Sequence, residues 1–215
     1  MKIDILTLFP EMFTGPFSES IIKRAQEKGL VEIKTHNLRD WAVDKYKSVD
    51  DKPYGGGAGM ILRIDVIDAA ITKLQTPNSK IILLDAGGKT FTQQKAKELS
   101  KEKHLILIAG HYEGVDHRVH EHLVDEVISI GNYVLTGGEL PAMVIADAVV
   151  RLLPGVIDPK SLKEESNWKL ENGNWKFSPE YPQYTRPEEY KSWKVPEVLL
   201  SGHHAEIKKW RKGKP

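Results

Sequence analysis

The sequence predicts an α/β fold built around a parallel sheet. Three short apolar runs without polar alternation carry this prediction, at 81–84, 105–109 and 127–130. Strands that read as continuous apolar runs are buried on both faces, as in parallel sheets. Segments with helical patterns, at 92–100 and 118–124, separate the runs. Such alternation is typical of α/β architecture.

Further elements before and after these runs fit the same architecture. Residues 2–9 alternate polar and apolar before Pro10, which indicates a strand. The segment 18–28 predicts a helix that is capped by Ser18 and stopped by Gly29. We also expect a strand over 30–38, a loop over 44–59, and helices over 64–75, 141–153 and 205–212. The helix over 141–153 is apolar nearly all round, so it is expected in a core or a subunit interface.

Composition places the chain among ordinary globular proteins. Its 215 residues are 40% apolar and carry 31 Lys and Arg against 30 Asp and Glu. The chain contains no cysteine, which excludes disulfides, thiolate nucleophiles and Cys-based metal sites. The N-terminus has no apolar run of the kind found in secretory signals, and no apolar stretch approaches the ~20 residues that span a bilayer. We therefore expect a cytoplasmic protein without a membrane partner.

The character of the sequence changes near Pro159. Residues 160–215 carry 12 Lys and Arg against 8 Asp and Glu, a net charge of +4. We predict a first domain over 1–159, a flexible linker over 160–177 and a small C-terminal domain over 178–215. Its basic end is suited to phosphates, although a solvated terminus is the plainer interpretation.

Glycine follows each of the three apolar runs, at Gly87–Gly88, Gly110 and Gly131. Ligands of open α/β sheets lie outside the carboxyl ends of the strands, where glycine permits a close approach of the backbone. The pattern favours a pocket for a nucleoside-like cofactor, with ordinary turn chemistry as the alternative. The sequence contains no P-loop and no Gly-x-Gly-x-x-Gly after a strand, which disfavours ATPases, kinases and nicotinamide-dependent dehydrogenases.

Two other segments carry residues of chemical interest. The segment 50–60 is too rich in glycine for a plain turn, and its Tyr54 offers a stacking surface that a flexible linker rarely needs. His117, His120 and His122 could suggest a metal site, but their acidic neighbours favour a solvated helix face. We predict no metal site in the protein.

Several longer motifs occur in one order along the chain: Asp51-Lys52-Pro53-Tyr54-Gly55-Gly56-Gly57-Ala58-Gly59-Met60, Gly110-His111-Tyr112-Glu113-Gly114, Thr136-Gly137-Gly138-Glu139-Leu140-Pro141 and Tyr184-Thr185-Arg186-Pro187. With these motifs the sequence closely resembles the bacterial tRNA (guanine-N1)-methyltransferases, the TrmD family of the SPOUT class. The matching segments cover nearly the whole chain.

The resemblance implies a SPOUT fold with a C-terminal trefoil knot around the cofactor, followed by a small, mostly helical tRNA-binding domain that is shorter than is usual in the family. It implies a homodimer with the active site at the subunit interface. The implied reaction moves a methyl group from S-adenosylmethionine to N1 of guanosine 37 of a tRNA with guanosine at position 36. The family also implies a need for Mg²⁺.

The resemblance also assigns roles to residues. Glu180 corresponds to the general base that removes the N1 proton, and Arg151 to the cation that stabilises charge at guanine O6. The implied cofactor-binding residues are Leu83, Leu84, Asp85, Ala86, Gly88, Gly110, Glu113, Ile130, Gly131, Asn132, Tyr133, Val134, Leu135, Gly137 and Gly138. The implied tRNA-binding residues are Asp50, Tyr54, Gly55, Gly56, Gly57, His111, Tyr184, Arg186 and His204.

The sequence departs from the family pattern at a few of these positions. Glu180 stands where many relatives have Asp, His111 where Arg is common, and Asn132 where Asp is common. Two other functions stay open: a non-catalytic SPOUT protein that binds RNA, and a SPOUT methyltransferase acting on rRNA or another tRNA position. Retention of Arg151 and Glu180 disfavours the first. The glycine-rich segment 50–60 and the Tyr-Thr-Arg-Pro motif disfavour the second.

Overall fold

The computed structural model describes residues 1–164, 168–171, 174–177 and 181–213. They form two compact units, one over 1–157 and one from 158 onward. The boundary lies close to the change in composition at Pro159.

The first unit alternates strands and helices. Its strands are β1 (Lys2–Thr7), β2 (Glu32–Asn37), β3 (Asp50–Asp51), β4 (Ile61–Leu62), β5 (Ser79–Thr90), β6 (His104–Ala109) and β7 (Glu126–Ser129). Its α-helices are α1 (Thr14–Phe17), α2 (Ser20–Glu27), α3 (Ile64–Leu74), α4 (Gln93–Leu99), α5 (His117–His122) and α6 (Glu139–Val150). Two 3₁₀ turns, Pro10–Phe13 and Leu38–Trp41, follow β1 and β2.

Five of these strands form one sheet in the order β2-β1-β6-β5-β7. Every pairing between neighbours is parallel, so the predicted α/β fold with a parallel sheet is confirmed. The register places Leu84 beside both Ala109 and Ile128. The middle of β5 therefore meets the carboxyl ends of β6 and β7 at one edge of the sheet.

Apolar clusters cover both faces of the sheet. Alternate residues of β6 divide between them, with Leu105 and Leu107 in one cluster and Ile106 and Ile108 in the other. Buried side chains of α2, α4 and α6 complete the first cluster, and those of α3 and α5 complete the second. Double coverage explains why these strands read as continuous apolar runs.

β5 is longer than the sequence predicts. The expected strand ends at Leu84, whereas β5 runs to Thr90 and pairs with β7 a second time after a register shift. A Cβ on Gly88 would lie 2.7 Å from the backbone nitrogen of Ile128, so glycine permits this second pairing. Gly87 and Gly88 thus lie within the strand instead of ending it.

Two local predictions also differ from the structure. The helix expected from Ser18 begins at Ser20, and the Ser18 hydroxyl donates to the carbonyl of Gly15 at 3.3 Å instead of capping α2. The loop expected over 44–59 includes the short strand β3, which pairs with β4 in antiparallel fashion.

The second unit contains short elements. They are the helices α7 (Pro159–Glu164), α8 (Glu197–Leu200) and α9 (His204–Lys212), and the strands β8 (Trp168–Glu171), β9 (Asn174–Phe177), β10 (Glu189–Tyr190) and β11 (Trp193–Lys194). β8 pairs with β9 and β10 with β11, both antiparallel. The segment 160–177, predicted as a linker, therefore contains most of α7 and the antiparallel strand pair β8–β9. Among all described residues, no helix is long and apolar enough to cross a membrane.

Candidate functional site

A pocket lies where the middle of β5 meets the carboxyl ends of β6 and β7. Its cavity volume is ≈ 220 Å³. Three segments enclose it: residues 83–86 of β5, the turn after β6, and the chain from the end of β7 to the first turn of α6. The lining residues are Leu83, Leu84, Asp85, Ala86, Gly110, His111, Tyr112, Glu113, Gly114, Val115, Ile128, Ser129, Ile130, Gly131, Tyr133, Val134, Leu135, Thr136, Gly137, Gly138 and Pro141.

The structure brings most of the predicted cofactor-binding residues to this pocket. Those that line it are Leu83, Leu84, Asp85, Ala86, Gly110, Glu113, Ile130, Gly131, Tyr133, Val134, Leu135, Gly137 and Gly138. Gly88 instead lines a second cavity beside β7, and Asn132 is absent from the lining of either. Gly88 serves the packing of β5 on β7, as its close approach to Ile128 shows.

The lining has a distinct chemical character. It contains the carboxylates of Asp85 and Glu113, and among the described residues that line it there is no lysine or arginine. The remaining lining residues are apolar side chains, glycines and the polar side chains of His111, Tyr112, Ser129, Tyr133 and Thr136. Such a pocket suits a cationic nucleoside better than a phosphate-bearing cofactor, because the described lining residues include no lysine or arginine to neutralise phosphate charge.

A buried carboxylate supports the pocket from behind. Glu139, the first residue of α6, is 2% exposed, and its Oε1 accepts a hydrogen bond of 2.8 Å from the hydroxyl of Thr7. Its Oε2 lies 3.6 Å from Nδ1 of His111, which lines the pocket. A Cβ on Gly137 would clash with both side chains, so this glycine lets them approach. Sequence reasoning missed the roles of Thr7 and Glu139.

Asp85 is held in place from two sides. Its Oδ1 accepts a hydrogen bond of 2.7 Å from the backbone of Gly87. Its Oδ2 lies 3.5 Å from Nε2 of His120 on α5. The described residues contain no cluster of three or more potential metal ligands. The ring of His117 stacks on the ring of His120, with 5.1 Å between the centroids.

The glycine-rich segment is joined to the pocket. The backbone of Glu113 donates to the carbonyl of Met60 at 3.1 Å, and that of Leu62 donates to Gly114 at 3.0 Å. A Cβ on Gly59 would lie 2.6 Å from Oε1 of Glu113, so this glycine lets the segment pass against the carboxylate. Tyr54 at the tip of the segment is fully exposed.

The turn that follows β6 and lines the pocket continues into α5 at Asp116. Asp116 caps this helix by accepting from the backbone of Arg118 at 3.0 Å. The Arg118 side chain also donates to both carboxylate oxygens, at 2.9 and 2.7 Å. These side-chain hydrogen bonds hold the pKa of Asp116 below its ordinary value, although burial opposes them. Asp116 therefore stays ionised and fixes the end of the pocket turn.

Comparison with known proteins identifies the family of the chain. The family model described as tRNA (guanine-1)-methyltransferase TrmD matches residues 1–215. The chain belongs to the TrmD family. Its relatives include tRNA (guanine-N1)-methyltransferases of Dictyoglomus turgidum (56% identical over 214 residues), Chloroflexus aggregans (54% over 215) and Ruminiclostridium cellulolyticum (56% over 215). The matches cover 99%, 99% and 98% of this chain and 84%, 82% and 89% of the relatives.

Neither of the two residues to which the TrmD resemblance gives catalytic roles is among the described residues that line the pocket. Arg151 directly follows α6, and its backbone donates to the carbonyl of Asp147 at 3.1 Å. It is absent from the pocket lining. Glu180 lies outside the described residues.

The residues that the TrmD resemblance assigns to tRNA are divided between the units. Asp50, Tyr54 and the glycines Gly55–Gly57 belong to the first unit, as does His111, which lines the pocket. Tyr184, Arg186 and His204 belong to the second unit. There the ring of Tyr184 lies 6.3 Å from that of Trp210.

Proposed function

We propose that this TrmD-family chain transfers a methyl group from S-adenosylmethionine to N1 of guanosine 37 of tRNA, in tRNAs with guanosine at position 36. One observation carries the proposal: the carboxyl edge of the parallel sheet holds a pocket with two carboxylates and, among its described lining residues, no lysine or arginine. S-adenosylmethionine is a nucleoside without phosphates that carries a positive sulfonium, so its charge suits this lining.

The individual lining residues fit the parts of that cofactor. Apolar side chains such as Leu84, Ile130 and Leu135 offer flat surfaces to an adenine ring. Asp85 and Glu113 offer acceptors to ribose hydroxyls and to an amino group. Gly110 and Gly138 have no side chain to obstruct a ligand, and a hydrogen bond of 2.7 Å from the Gly138 N–H to the Gly110 carbonyl holds the two segments together.

Methyl transfer to N1 requires a base, because guanine N1 carries a proton at neutral pH. N1 is a poor nucleophile until this proton has been removed. Bound S-adenosylmethionine supplies the methyl group as an electrophilic sulfonium carbon. Glu180 accepts the N1 proton, and the Arg151 guanidinium stabilises the negative charge that develops on O6. Glu180 has a longer side chain than the Asp that is common at this position in the family. It retains the carboxylate that this step needs.

The position of Arg151 supports a homodimer whose active site contains residues from both subunits. The pocket lies at the N-terminal end of α6 and Arg151 follows its C-terminal end. Arg151 lies thirteen positions after Gly138, and a helical rise over thirteen positions is about 20 Å. An Arg151 that reaches guanine in this pocket therefore belongs to the other subunit.

An apolar surface on α6 supports the same assembly. Leu140 and Val144, four residues apart, are 48% and 45% exposed although α6 is otherwise largely buried. Met12, in the 3₁₀ turn that contacts α6, is 45% exposed. A second copy of the chain that covers these side chains would remove this apolar area from water.

Two close backbone approaches support a trefoil knot around the pocket. A Cβ on Gly138 would lie 2.7 Å from Cα of Ala109, and one on Gly88 equally close to Ile128. Segments distant in sequence thus pass each other closely at Gly138, which lines the pocket, and at Gly88. We also propose that the second unit binds tRNA through Tyr184, Arg186 and His204, that turnover needs Mg²⁺, and that the enzyme acts in the cytoplasm.

The deciding experiment is incubation of the full chain with labelled S-adenosylmethionine and Mg²⁺. Two tRNA transcripts serve as substrates, one with guanosines at positions 36 and 37 and one with adenosine at 37. Nuclease digestion should yield labelled 1-methylguanosine from the first transcript and no label from the second.

Label at another nucleotide would favour a methyltransferase that acts on another position. Cofactor binding without methyl transfer would favour a non-catalytic RNA-binding protein. A Glu180→Gln protein with unchanged transfer would refute the proposed base.

A further inference from the structure

The hairpin formed by β10 and β11 displays two aromatic rings and a cation together. Tyr190 pairs directly with Trp193 across the hairpin, and their ring centroids lie 6.0 Å apart at an interplanar angle of 48°. Nζ of Lys191 lies 5.6 Å from the centroid of each ring. A cation within about 6 Å of an aromatic face is attracted to it. We call these three residues the hairpin cluster.

The hairpin cluster faces solvent. Trp193 is 67% exposed and Tyr190 is 56% exposed. All six residues from Glu189 to Lys194 are exposed. Two large rings that contribute little to a core within their own unit are suited to a surface that becomes covered by a partner.

The backbone at Lys191 is unusual for its residue type. Its φ is +59°, in the left-handed region that glycine adopts without penalty. A lysine at this first position of a two-residue turn carries a conformational cost that glycine would avoid. Lys191 therefore places a positive charge beside the two rings. A glycine at this position would leave the rings without that charge.

We propose that the hairpin cluster is a binding site for an unpaired base of tRNA and its neighbouring phosphate. Tyr190 and Trp193 stack on the base, and Lys191 neutralises the phosphate. Stacking on aromatic side chains and charge neutralisation by lysine are the two main contributions to single-stranded RNA binding. The inference rests on the proposed function, because it takes tRNA as the substrate.

The charge of the second unit favours RNA over other partners. Residues 160–215 have a net charge of +4, and Lys194 adds a second cation to the same hairpin. Because neighbouring residues on a strand face opposite sides, Lys194 and its partner Glu189 lie on the face away from the rings. Nζ of Lys194 lies 3.5 Å from a carboxylate oxygen of Glu189. This lysine provides a matched control that differs from Lys191 in the face it occupies.

The test measures binding of an unmodified tRNA transcript to the full chain, by fluorescence anisotropy over a series of salt concentrations. Trp193→Ala and Tyr190→Ala should each raise the Kd roughly 5- to 150-fold, the range expected for the loss of one stacked base. Trp193→Phe should retain most of the affinity because it keeps a ring. Lys191→Gln should reduce the slope of log K against log salt by about one phosphate contact, and Lys194→Gln should change it much less.

Binding of S-adenosylmethionine, measured by calorimetry, should be the same in all variants. If the wild type methylates tRNA but the Trp193→Ala and Tyr190→Ala proteins bind it with wild-type affinity, this inference is wrong and the proposed function stands. If the wild type does not bind tRNA, both are wrong. If the alanine variants alter only the monomer–dimer equilibrium, the surface is a contact between copies of the chain and the inference is overturned.

Discussion

The Thr7 hydroxyl donates a hydrogen bond of 2.8 Å to the Glu139 carboxylate, linking the end of β1 to the start of α6 across 132 residues of sequence. Both side chains are buried, and Thr7 also accepts from the backbone of Phe9 at 2.9 Å. The bond fixes the helix whose first turn encloses the pocket. The geometry of the pocket therefore depends on a strand that does not line it.

Replacement of Glu139 should weaken both folding and cofactor binding. Glu139→Ala leaves the Thr7 hydroxyl buried without its acceptor, which costs about 1–3 kcal/mol in the free energy of unfolding. Glu139→Gln keeps an acceptor for Thr7 and should cost less. Urea unfolding and calorimetric titration with S-adenosylmethionine measure the two effects. Glu121→Ala, at an exposed position of α5, is the control and should change neither quantity appreciably.

A methyl group on Gly138 should push the start of α6 away from the backbone of Ala109 and Gly110 at the pocket. The Cβ of Gly138→Ala would lie 2.7 Å from Cα of Ala109 and 2.8 Å from the backbone nitrogen of Gly110, and neither backbone atom can move aside freely. We expect a loss of about 1–3 kcal/mol in the free energy of unfolding and loss of cofactor binding.

The control for Gly138 is Gly15 in α1, where a Cβ meets no atom within 4 Å. Gly15→Ala should leave stability unchanged or raise it by up to about 1 kcal/mol, since alanine favours helix. Equal destabilisation by the two substitutions would show that close approach at Gly138 is not the cause.

The buried carboxylate of Asp4 should make stability depend on acid pH. Asp4 is fully buried, and its oxygens lie 2.7 Å from Nε2 of His36, 2.7 Å from Nε2 of His104 and 2.6 Å from Nζ of Lys2. Burial alone would raise its pKa, but the hydrogen bonds from these three side chains outweigh it and hold the pKa well below the ordinary value of 3.8. Ionised Asp4 therefore stabilises the folded state above pH 3.8, and this contribution is lost as the pH falls further.

Asp4→Asn should remove that dependence. At pH 7 we expect the variant to lose about 3 kcal/mol or more in the free energy of unfolding, because its three partners lose a buried charge. Between pH 4 and 2 the stability of the wild type should fall more steeply than that of the variant. Parallel acid limbs in urea unfolding series would contradict the role given to Asp4.

Local patterns in the sequence predicted the parallel sheet and the edge where the pocket lies. Apolar runs indicate strands that are buried on both faces, and the glycines after Ala109 and Ile130 indicate backbone turns. Both features can therefore be predicted from residues that are neighbours in the sequence. The extension of β5 to Thr90 and the Thr7–Glu139 bond depend on contacts between distant segments. Asp4 and Thr7 are polar residues that are nevertheless fully buried in β1, and hydrogen-bonding partners from other segments satisfy their polar atoms.

A mixing experiment should show that Arg151 acts in the pocket of the other subunit. Arg151→Ala and Glu113→Ala are each expected to abolish or strongly reduce methyl transfer. In a shared active site, a heterodimer of the two variants contains one intact pocket facing one intact arginine. Random mixing in equal amounts makes half the dimers heterodimers, so activity should recover to about a quarter of that of the wild type.

The double variant Arg151→Ala/Glu113→Ala controls for dilution and for instability of either subunit. Mixed equally with wild type, it leaves only wild-type homodimers active if the site is shared, which is about a quarter of full activity, whereas a site within one subunit would leave about half. No recovery in the first mixture together with half activity in the second would place Arg151 in its own subunit's reaction. Since α6 separates this arginine from its own pocket by about 20 Å, that result would require a rearrangement of the first unit during turnover.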